Sequence, residues 1–313
     1  MRRLLRIGLI AIIVLCVAVT AVNLMIARLP AMPPADGEYI SLRGKEIHYT
    51  EQLGSGTPVV LIHGLPGTHE DFDPVLPELS GLHVLAIDRP GYGWSKGGWL
   101  PYQEQIDVVH EFLTRRGLAP AVLVGHSFGG SLALGVARRY PRDVAKMVLV
   151  APGSGGMTAT PADLFNARYA QAIQLPVIGP VSDFTVNNVI QRLAGTGGAH
   201  RAFDPDPVDP TYQQRLLAVT MTRGNLDSFA SDELELNRTG RWLAENQPQI
   251  TVPSVVIGAV DDNLVAIDRV RHLASVLPNT ELITVDGGHM IPYSHPDAVA
   301  EQVRAALAAT VRP

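Results

Sequence analysis

The stretch that decides the fold is residues 121–140, AVLVGHSFGGSLALGVARRY, in which a short apolar run passes through a glycine-rich turn into a helical pattern. The first four residues are typical of a buried parallel strand. Ser127 follows inside Gly125-His126-Ser127-Phe128-Gly129. The two flanking glycines predict a tight strand-to-helix turn with the serine at its tip, because larger side chains there would collide with the neighbouring strand and helix.

Outward from this turn, short apolar runs alternate with longer amphipathic ones. An opening antiparallel pair is predicted at residues 39–42 and 46–49, and further strands at 58–62, 83–87, 121–124, 147–150, 254–257 and 282–285. Helical patterns cover residues 72–79, 102–116, 128–140, 266–277 and 296–311. This alternation predicts an α/β fold with a mostly parallel eight-stranded sheet and helices on both faces.

The alternation stops between residues 153 and 248, where no convincing strand is found. Short helices are predicted at 161–172, 181–193, 211–219 and 232–245, with the glycines of 195–198 separating two of them. A structureless loop of this length is implausible in a compact domain. We therefore expect a helical cap at 153–248 that folds over a core formed by residues 38–152 and 249–313.

The amino-terminal segment has a different character. Residues 7–27 contain no charge, Arg2, Arg3 and Arg6 precede them, and Arg28 follows them. About 20 apolar residues can cross a bilayer, and the positive-inside rule places the amino terminus in the cytoplasm. Residues 1–28 are predicted to be a transmembrane anchor and 29–37 a proline-rich linker, with the body at the outer (periplasmic or extracellular) face of a cell membrane. A cleaved signal peptide is the alternative.

Composition excludes several classes of protein. The chain has 313 residues, 46% of them hydrophobic, a formal net charge of −5 and a single cysteine, Cys16. Wholesale disorder, a disulfide scaffold and nucleic-acid binding are thereby excluded. The ten histidines show no convincing metal-ligand spacing with a carboxylate, so neither a metal nor a cofactor is expected.

A serine nucleophile needs a base and an acid that orients the base. Asp261 follows the strand at 254–257 and is the predicted acid, with its neighbour Asp262 as the alternative. His289 lies in a glycine-rich loop after the last strand and is the predicted base. A second G-x-S-x-G, around Ser95, has no adjoining strand or helix, so a turn is expected there.

Residues about 38–312 resemble the lidded branch of the α/β-hydrolase superfamily. The resemblance is carried by the turn around Ser127, by LIHGLPG at 61–67, by DRPGYGWS at 88–95 and by residues 253–261. It implies that the backbone N–H groups of Leu65 and Phe128 form an oxyanion hole. The family's dehalogenases and epoxide hydrolases carry aspartate at the turn, and its proline iminopeptidases carry HGGPG where this chain has HGLPG.

The expected function is that of a membrane-tethered serine hydrolase that cleaves an acyl bond, most simply a carboxylic ester. Its expected partners are a moderately hydrophobic small-molecule acyl substrate and the lipid bilayer. Two alternatives stay open. A hydrolase of carbon–carbon bonds in diketones would use the same residues, and a ligand-binding protein would have kept the scaffold without catalysis.

Overall fold

The computed structural model describes residues 2–25 and 31–310, and eight strands form one sheet. The strands are β1 (Glu38–Leu42), β2 (Lys45–Gln52), β3 (Ser55–Ile62), β4 (Leu82–Ile87), β5 (Ala121–His126), β6 (Val144–Val150), β7 (Ser254–Ala259) and β8 (Thr280–Val285). Their order is β1-β2-β4-β3-β5-β6-β7-β8. The first three in this order pair antiparallel and all others parallel, which confirms the predicted sheet.

The α-helices of the described ranges are α1 (Arg2–Met25), α2 (Val75–Glu78), α3 (Tyr102–Arg115), α4 (Phe128–Arg139), α5 (Pro161–Ala172), α6 (Ile178–Thr185), α7 (Asn187–Phe203), α8 (Pro210–Thr220), α9 (Arg223–Asn246), α10 (Ile267–Val276), α11 (Ile291–Ser294) and α12 (Pro296–Thr310). The helix predicted at 72–79 is instead a 3-10 turn, His69–Phe72, followed by the short α2. Pro74 and Pro77 explain the interruption, because proline has no N–H to donate.

Apolar side chains cover the sheet on both faces. On one face α3, α4 and α10 pack through residues such as Phe112, Leu132 and Leu273. On the other face α2 and α12 pack through residues such as Val75 and Val303. The central strands are buried on both sides, which is why their sequences are continuously apolar. The carboxyl ends of β3, β5, β7 and β8 consequently meet at one edge of the sheet, where the candidate site lies.

Helices α5 to α9 all lie between β6 and β7, in a segment that we call the insertion. The helix α7 contains the glycines of 195–198, so the predicted break at this point is wrong. A glycine in a helix costs only about 1 kcal/mol, which tertiary packing can override. The division of the chain at residues 152 and 248 into core and cap stays a prediction.

The amino-terminal helix α1 packs on the insertion. Its segment Arg6–Met25 is long and apolar enough to cross a membrane, a property that a signal sequence shares. Asn23, which is fully buried, donates hydrogen bonds of 3.0 Å to the carbonyl oxygens of Asp183 and Phe184 at the end of α6. Residues 26–30, which include Arg28 and the start of the predicted linker, lie outside the described residues.

Candidate active site

The strand-to-helix turn holds Ser127 in a strained backbone conformation. Its φ of 51° and ψ of −119° are unusual for a residue with a side chain. Such a conformation costs about 1–3 kcal/mol and persists only where the surroundings enforce it. Here the Ser127 N–H donates to the Val150 carbonyl at 2.9 Å, and the Ser127 carbonyl accepts from Gly130 and Gly153 at 2.9 Å each. The turn therefore presents the hydroxyl at the sheet edge, as the sequence predicts.

The two glycines of the turn are required by close backbone contacts. A Cβ at Gly125 would collide with the carbonyl of Gly129 at the start of α4. A Cβ at Gly129 would collide with the carbonyl of Ile62 at the end of β3. These contacts are the physical reason for the spacing of glycine and serine.

His289 is held by a carboxylate on the loop after β7. Its Nδ1 lies 2.7 Å from Oδ2 of Asp262, and both side chains are buried. The other oxygen, Oδ1, accepts backbone N–H bonds from Leu264 and Val265, both 2.8 Å long. Burial alone would raise the pKa of Asp262, but the hydrogen bond and charge of His289 and these two N–H groups lower it. The carboxylate thus stays ionised, and Nε2 is the histidine nitrogen left to accept a proton.

The prediction that Asp261 is the orienting acid is wrong, because its neighbour Asp262 contacts the histidine. Asp261 is exposed, and among the described residues its carboxylate makes no hydrogen bond. Its backbone N–H instead donates to the Gly287 carbonyl at 3.2 Å. β7 ends at Ala259, and the chain then turns around the Asp262 side chain, which carries Asp262 inward and Asp261 outward.

His126 links the serine turn to the histidine loop. Its Nε2 donates to the carbonyl oxygen of His289 at 3.0 Å, and the two rings lie 4.8 Å apart. Burial and the neighbouring His289 lower the pKa of His126 to about 3, so it stays neutral and keeps this donor. In the described part of the chain the Ser127 hydroxyl makes no hydrogen bond with His289. Catalytic hydrogen bonds are often formed only when substrate is bound.

The loop after β3 (residues 63–67), which we call the oxyanion loop, is fixed by its carbonyl at Gly64. This oxygen accepts from His63 Nδ1 and from Arg89 Nη2, each at 2.9 Å. In a trans peptide the carbonyl and the next N–H point in opposite directions, so the Leu65 N–H is turned away from Arg89. A methyl group at Gly64 would lie 2.9 Å from the Cβ of Ser127, which places the loop beside the serine.

Neither N–H group of the predicted oxyanion hole has an acceptor within residues 31–310. Phe128 is the first residue of α4, and the first N–H groups of a helix have no partner inside it. The Leu65 N–H points away from Arg89 and from the bonded carbonyl of Gly64. Both N–H groups are therefore available to a developing negative charge. Their shared role in an oxyanion hole stays a prediction.

A buried ionic cluster, which sequence analysis did not find, holds the oxyanion loop to the insertion. Asp232 on α9 accepts hydrogen bonds from the side chains of Arg89 (2.8 Å), Tyr92 (2.7 Å), Trp99 (2.6 Å) and Gln105 (3.0 Å). We call these five residues the Asp232 cluster. Arg89 is 1% exposed and lies 4.2 Å from the centre of the Tyr92 ring. Such a buried ion pair is costly to break, since either partner alone would be an unpaired buried charge.

A cavity of about 310 Å³ lies between the sheet edge and the insertion. Gly64, Leu65, His126 and His289 line its end at the sheet edge, and mostly apolar residues of α5, α7, α8 and α9 line the rest. Two buried acids also reach its wall. Asp71 accepts from the Tyr212 hydroxyl at 2.8 Å, and burial raises its pKa to about 7. Glu233 on α9 is the other.

The second G-x-S-x-G sequence serves a structural role. The Ser95 hydroxyl donates to the carbonyl of Asp88 at 2.7 Å and accepts from the backbone N–H of His48 at 2.9 Å. This residue therefore closes the turn after β4, as predicted. Nothing in its surroundings resembles the strand-to-helix turn of Ser127.

One cluster has the residue types of a metal site. Ligand atoms of His48, His69 and Asp88 all lie within 4.8 Å of one another. However, Asp88 already accepts from Nδ1 of both histidines (2.9 and 3.1 Å) and from the backbone N–H groups of His69 (2.8 Å) and Trp94 (3.0 Å). Four donors saturate its oxygens, so the group fits a hydrogen-bonded anchor better than a metal site. Burial alone would lower the pKa of His69, but Asp88 and Asp36 raise it to about 9.

This anchor also fastens residues 33–37, the segment that precedes β1. Trp94 Nε1 donates to the Pro33 carbonyl at 2.8 Å, and the Gly37 N–H donates to His48 Nε2 at 3.2 Å. Asp36 lies 3.4 Å from His69. Residues 33–37 are therefore bound to the core beside the sheet.

Fold and site together define a class of protein. A family model described as the alpha/beta hydrolase fold matches residues 57–296. The chain belongs to this family, as the resemblance implied, and the relatives found within it include hydrolases, esterases and lipases.

Individual relatives are distant. The AB hydrolase superfamily protein YisY of Bacillus subtilis is 23% identical over 269 residues, which cover 84% of this chain and 96% of that protein. Lipase 1 of Psychrobacter immobilis is 23% identical over 278 residues, covering 84% and 80%. Among solved structures, an esterase from Exiguobacterium antarcticum superposes with a TM-score of 0.72 at 18% identity, covering 87% of this chain and all of that one. These likenesses establish the shared fold.

Proposed function

We propose that this protein is a serine hydrolase that cleaves carboxylic esters with Ser127, His289 and Asp262. One observation carries the proposal: buried Asp262 holds the Nδ1 of His289 at 2.7 Å, and the carbonyl of His289 accepts from His126, the residue before Ser127 with its φ of 51°. A serine hydroxyl is a weak nucleophile until a base takes its proton. The arrangement supplies that base in a fixed orientation, and the Leu65 and Phe128 N–H groups complete it.

In the first half of the reaction the Ser127 oxygen attacks the acyl carbon while Nε2 of His289 takes its proton. The carbonyl electron pair moves onto the oxygen, and the Leu65 and Phe128 N–H groups stabilise that charge. One such donor contributes about 3–4 kcal/mol to transition-state stabilisation. The intermediate then expels the alcohol, which receives the proton from His289, and the acyl group stays on Ser127.

In the second half a water molecule attacks the acyl-enzyme. His289 takes one proton from the water, the same two N–H groups hold the second oxyanion, and the acid leaves as Ser127 regains its proton. Ionised Asp262 stabilises the imidazolium that forms in each half.

The lining of the cavity is an argument for a moderately hydrophobic acyl substrate. Its wall is mainly apolar, contributed by residues such as Leu217, Phe229 and Met290. Lipases and esterases occur among the relatives, although identities near 23% do not transfer a substrate. A diketone hydrolase would need the same residues, so a substrate panel must separate the two reactions.

We also propose that α1 anchors the protein in a membrane, with the insertion against the bilayer. Helices α6 and α7 contact α1, and exposed apolar side chains lie on and near them. We call these the apolar face: Val181 and Phe184 of α6, Leu193 of α7, Val177 just before α6, and Phe165 of the neighbouring α5. Val177 is 74% exposed and Phe165 72%. Exposed apolar surface of this kind marks an interaction site, and its continuity with a helix long enough to span points to lipid. The three amino-terminal arginines favour a cytoplasmic amino terminus.

The catalytic proposal is tested with the full-length protein in detergent. Ser127→Ala is expected to lose labelling by a fluorophosphonate probe and hydrolysis of p-nitrophenyl esters. Ser95→Ala is the control and should keep both, at a cost of about 1–2 kcal/mol in unfolding free energy from its lost hydrogen bonds. Labelling that survives in Ser127→Ala would refute the nucleophile. Turnover of diketones but not esters would favour the alternative reaction.

The membrane proposal is tested separately. Phe184→Trp in vesicle-reconstituted protein should show fluorescence quenching by brominated lipids, measured against the unsubstituted protein. Arg238→Trp, on the exposed side of α9, is the control and should not. Extraction of the full-length protein by carbonate, or equal quenching at both positions, would contradict the membrane placement. External protease applied to intact cells reports the orientation.

A further inference from the structure

Glu233 is a buried acid without a partner in the wall of the cavity. It is 8% exposed, and its Oε2 is fully buried with no hydrogen-bond partner. Among the residues that the structure describes, neither of its oxygens takes part in a hydrogen bond. An unpaired buried polar group is unfavourable in the free protein, and such groups are rare without a reason.

The position of Glu233 is fixed by the residue before it. Asp232 is held by the four hydrogen bonds of the Asp232 cluster, and these set the rotation of α9 about its axis. Adjacent residues on a helix point about 100° apart, so Glu233 is directed to the cavity while Asp232 faces Arg89. Arg89 in turn fixes the oxyanion loop, and the same cluster therefore positions both the reacting end of the cavity and Glu233.

The surroundings of Glu233 decide what it can bind. Burial, and then the charges of Asp163 and Asp232, raise its pKa to about 8, so the neutral acid prevails at pH 7. A neutral acid offers one O–H donor and one carbonyl acceptor. Asp163 and Arg201 line the same cavity with charges of opposite sign, so the lining as a whole favours neither a carboxylate nor an ammonium group in the substrate. A hydroxyl group matches both the donor and the acceptor of Glu233.

We propose that Glu233 is a specificity residue that hydrogen-bonds a hydroxyl group of the substrate, so that the preferred substrates are hydroxylated esters. This inference rests on the proposed ester hydrolysis. The hydroxyl lies away from the scissile bond, because Glu233 is on α9 and the reacting groups are on loops of the sheet. A plain alkyl chain in the same cavity would leave the acid unpaired, whereas a hydroxyl would satisfy it.

The test compares matched esters on the full-length protein in detergent. The set contains p-nitrophenyl hexanoate, its analogues with a hydroxyl on carbon 3 or 6, and its 6-ammonium analogue. A second pair, butyl hexanoate and the mono-hexanoate of 1,4-butanediol, examines the alcohol side. We expect at least one hydroxylated ester to exceed its plain counterpart about tenfold in kcat/KM, the effect of one neutral hydrogen bond to a group otherwise left unpaired.

Variants show whether Glu233 causes that preference. Glu233→Leu should abolish it, and Glu233→Gln, which still offers a donor and an acceptor, should retain part of it. Glu245→Gln, exposed on the same helix, is the matched control and should keep it in full. The melting temperature of the unliganded protein should rise in Glu233→Leu, because an unpaired acid is removed. A merely structural acid would give a fall instead.

The outcomes separate this inference from the proposed function. Loss of fluorophosphonate labelling at Ser127 would remove the hydrolase proposal itself. Intact labelling with no preference for any hydroxylated ester, or a preference that survives in Glu233→Leu, would overturn the role of Glu233 alone. Faster turnover of the ammonium ester than of every hydroxylated one would likewise overturn it.

Discussion

Replacing Asp262 by asparagine is expected to stop the reaction by reversing the tautomer of His289. In the wild-type protein Oδ1 of Asp262 accepts from the N–H groups of Leu264 and Val265, and Oδ2 faces His289 Nδ1. The two N–H donors remain in the variant and require the amide oxygen. The amide NH₂ must then face His289 Nδ1, which becomes an acceptor. The ring proton moves to Nε2, and this nitrogen can no longer take the proton of Ser127.

The size of the effect follows from the loss of the base. A triad whose histidine has the wrong tautomer loses about 10⁴ in kcat, equivalent to about 5.5 kcal/mol of transition-state stabilisation. Asp261→Asn is the matched control, since the two positions are adjacent and carry the same substitution. Asp261 is exposed and touches neither the histidine nor the cavity lining, so its kcat should change less than about twofold.

The assay is initial-rate hydrolysis of p-nitrophenyl butyrate and hexanoate, with circular dichroism melting curves to show that both variants fold. Comparable losses in the two variants, or a kcat for Asp262→Asn within tenfold of the wild type, would refute the reasoning. The ranking matters more than the absolute rate, because the sequence pattern favours Asp261 and the structure favours Asp262.

Four other variants examine three separate parts of the structure. Arg89→Met should lower the unfolding free energy in urea by about 3–5 kcal/mol, because it leaves the buried carboxylate of Asp232 unpaired. It should also lower kcat more than it raises KM. Unchanged stability would contradict the ionic cluster. His69 has a pKa raised to about 9, above its unfolded value of 6.5, so its contribution is complete below pH 6.5 and is lost as the pH rises through 9. His69→Gln should therefore flatten the decline of the melting temperature across that window, and an identical decline in both proteins would count against the pair. Gly197→Ala should raise the unfolding free energy by about 0.5–1 kcal/mol, since no described atom lies within 4 Å of the added Cβ. Gly195→Ala should raise it less, because its Cβ would meet the side chain of Leu217. The reverse order would show that α7 is packed differently.

The sheet and the serine turn were predictable because each is specified locally. A parallel strand that is buried on both faces requires a continuous apolar run, and the sequence at 121–124 shows one. The glycines around Ser127 respond to contacts within one strand–turn–helix unit and the adjacent strand end. Pattern and spacing carry this information without knowledge of the rest of the chain.

The aspartate that contacts His289 was mispredicted because the alternation of side chains between the two faces of a strand gives no guide beyond the end of β7. The direction of Asp261 and Asp262 is set by hydrogen bonds of the Asp262 side chain to the backbone two and three residues on. An aspartate that accepts such bonds shapes a turn, and adjacent aspartates give no sign of which one does so. The alternative named at the outset, Asp262, is the residue that contacts His289.

The Asp232 cluster and Glu233 could not be found from sequence for a different reason. Arg89 and Asp232 are 143 residues apart, and a helix with several acids is usually a solvated one. Only the packing of the insertion on the core places one of two adjacent acids in an ion pair and the other in a cavity. Long-range complementarity of this kind has no local signature.

The insertion is attached both to the core and to α1. Helix α9 is bonded to the core through the Asp232 cluster, and α8 is bonded to it through the hydrogen bond from the Tyr212 hydroxyl to Asp71. Helix α6 is tied through its end carbonyls to Asn23 of α1, and through Asp183 to Arg223 at the start of α9. Under the proposed membrane placement, a tilt of α1 would therefore be passed to the insertion through α6. If α1 lies in a bilayer as we propose, turnover should respond to the thickness of that bilayer.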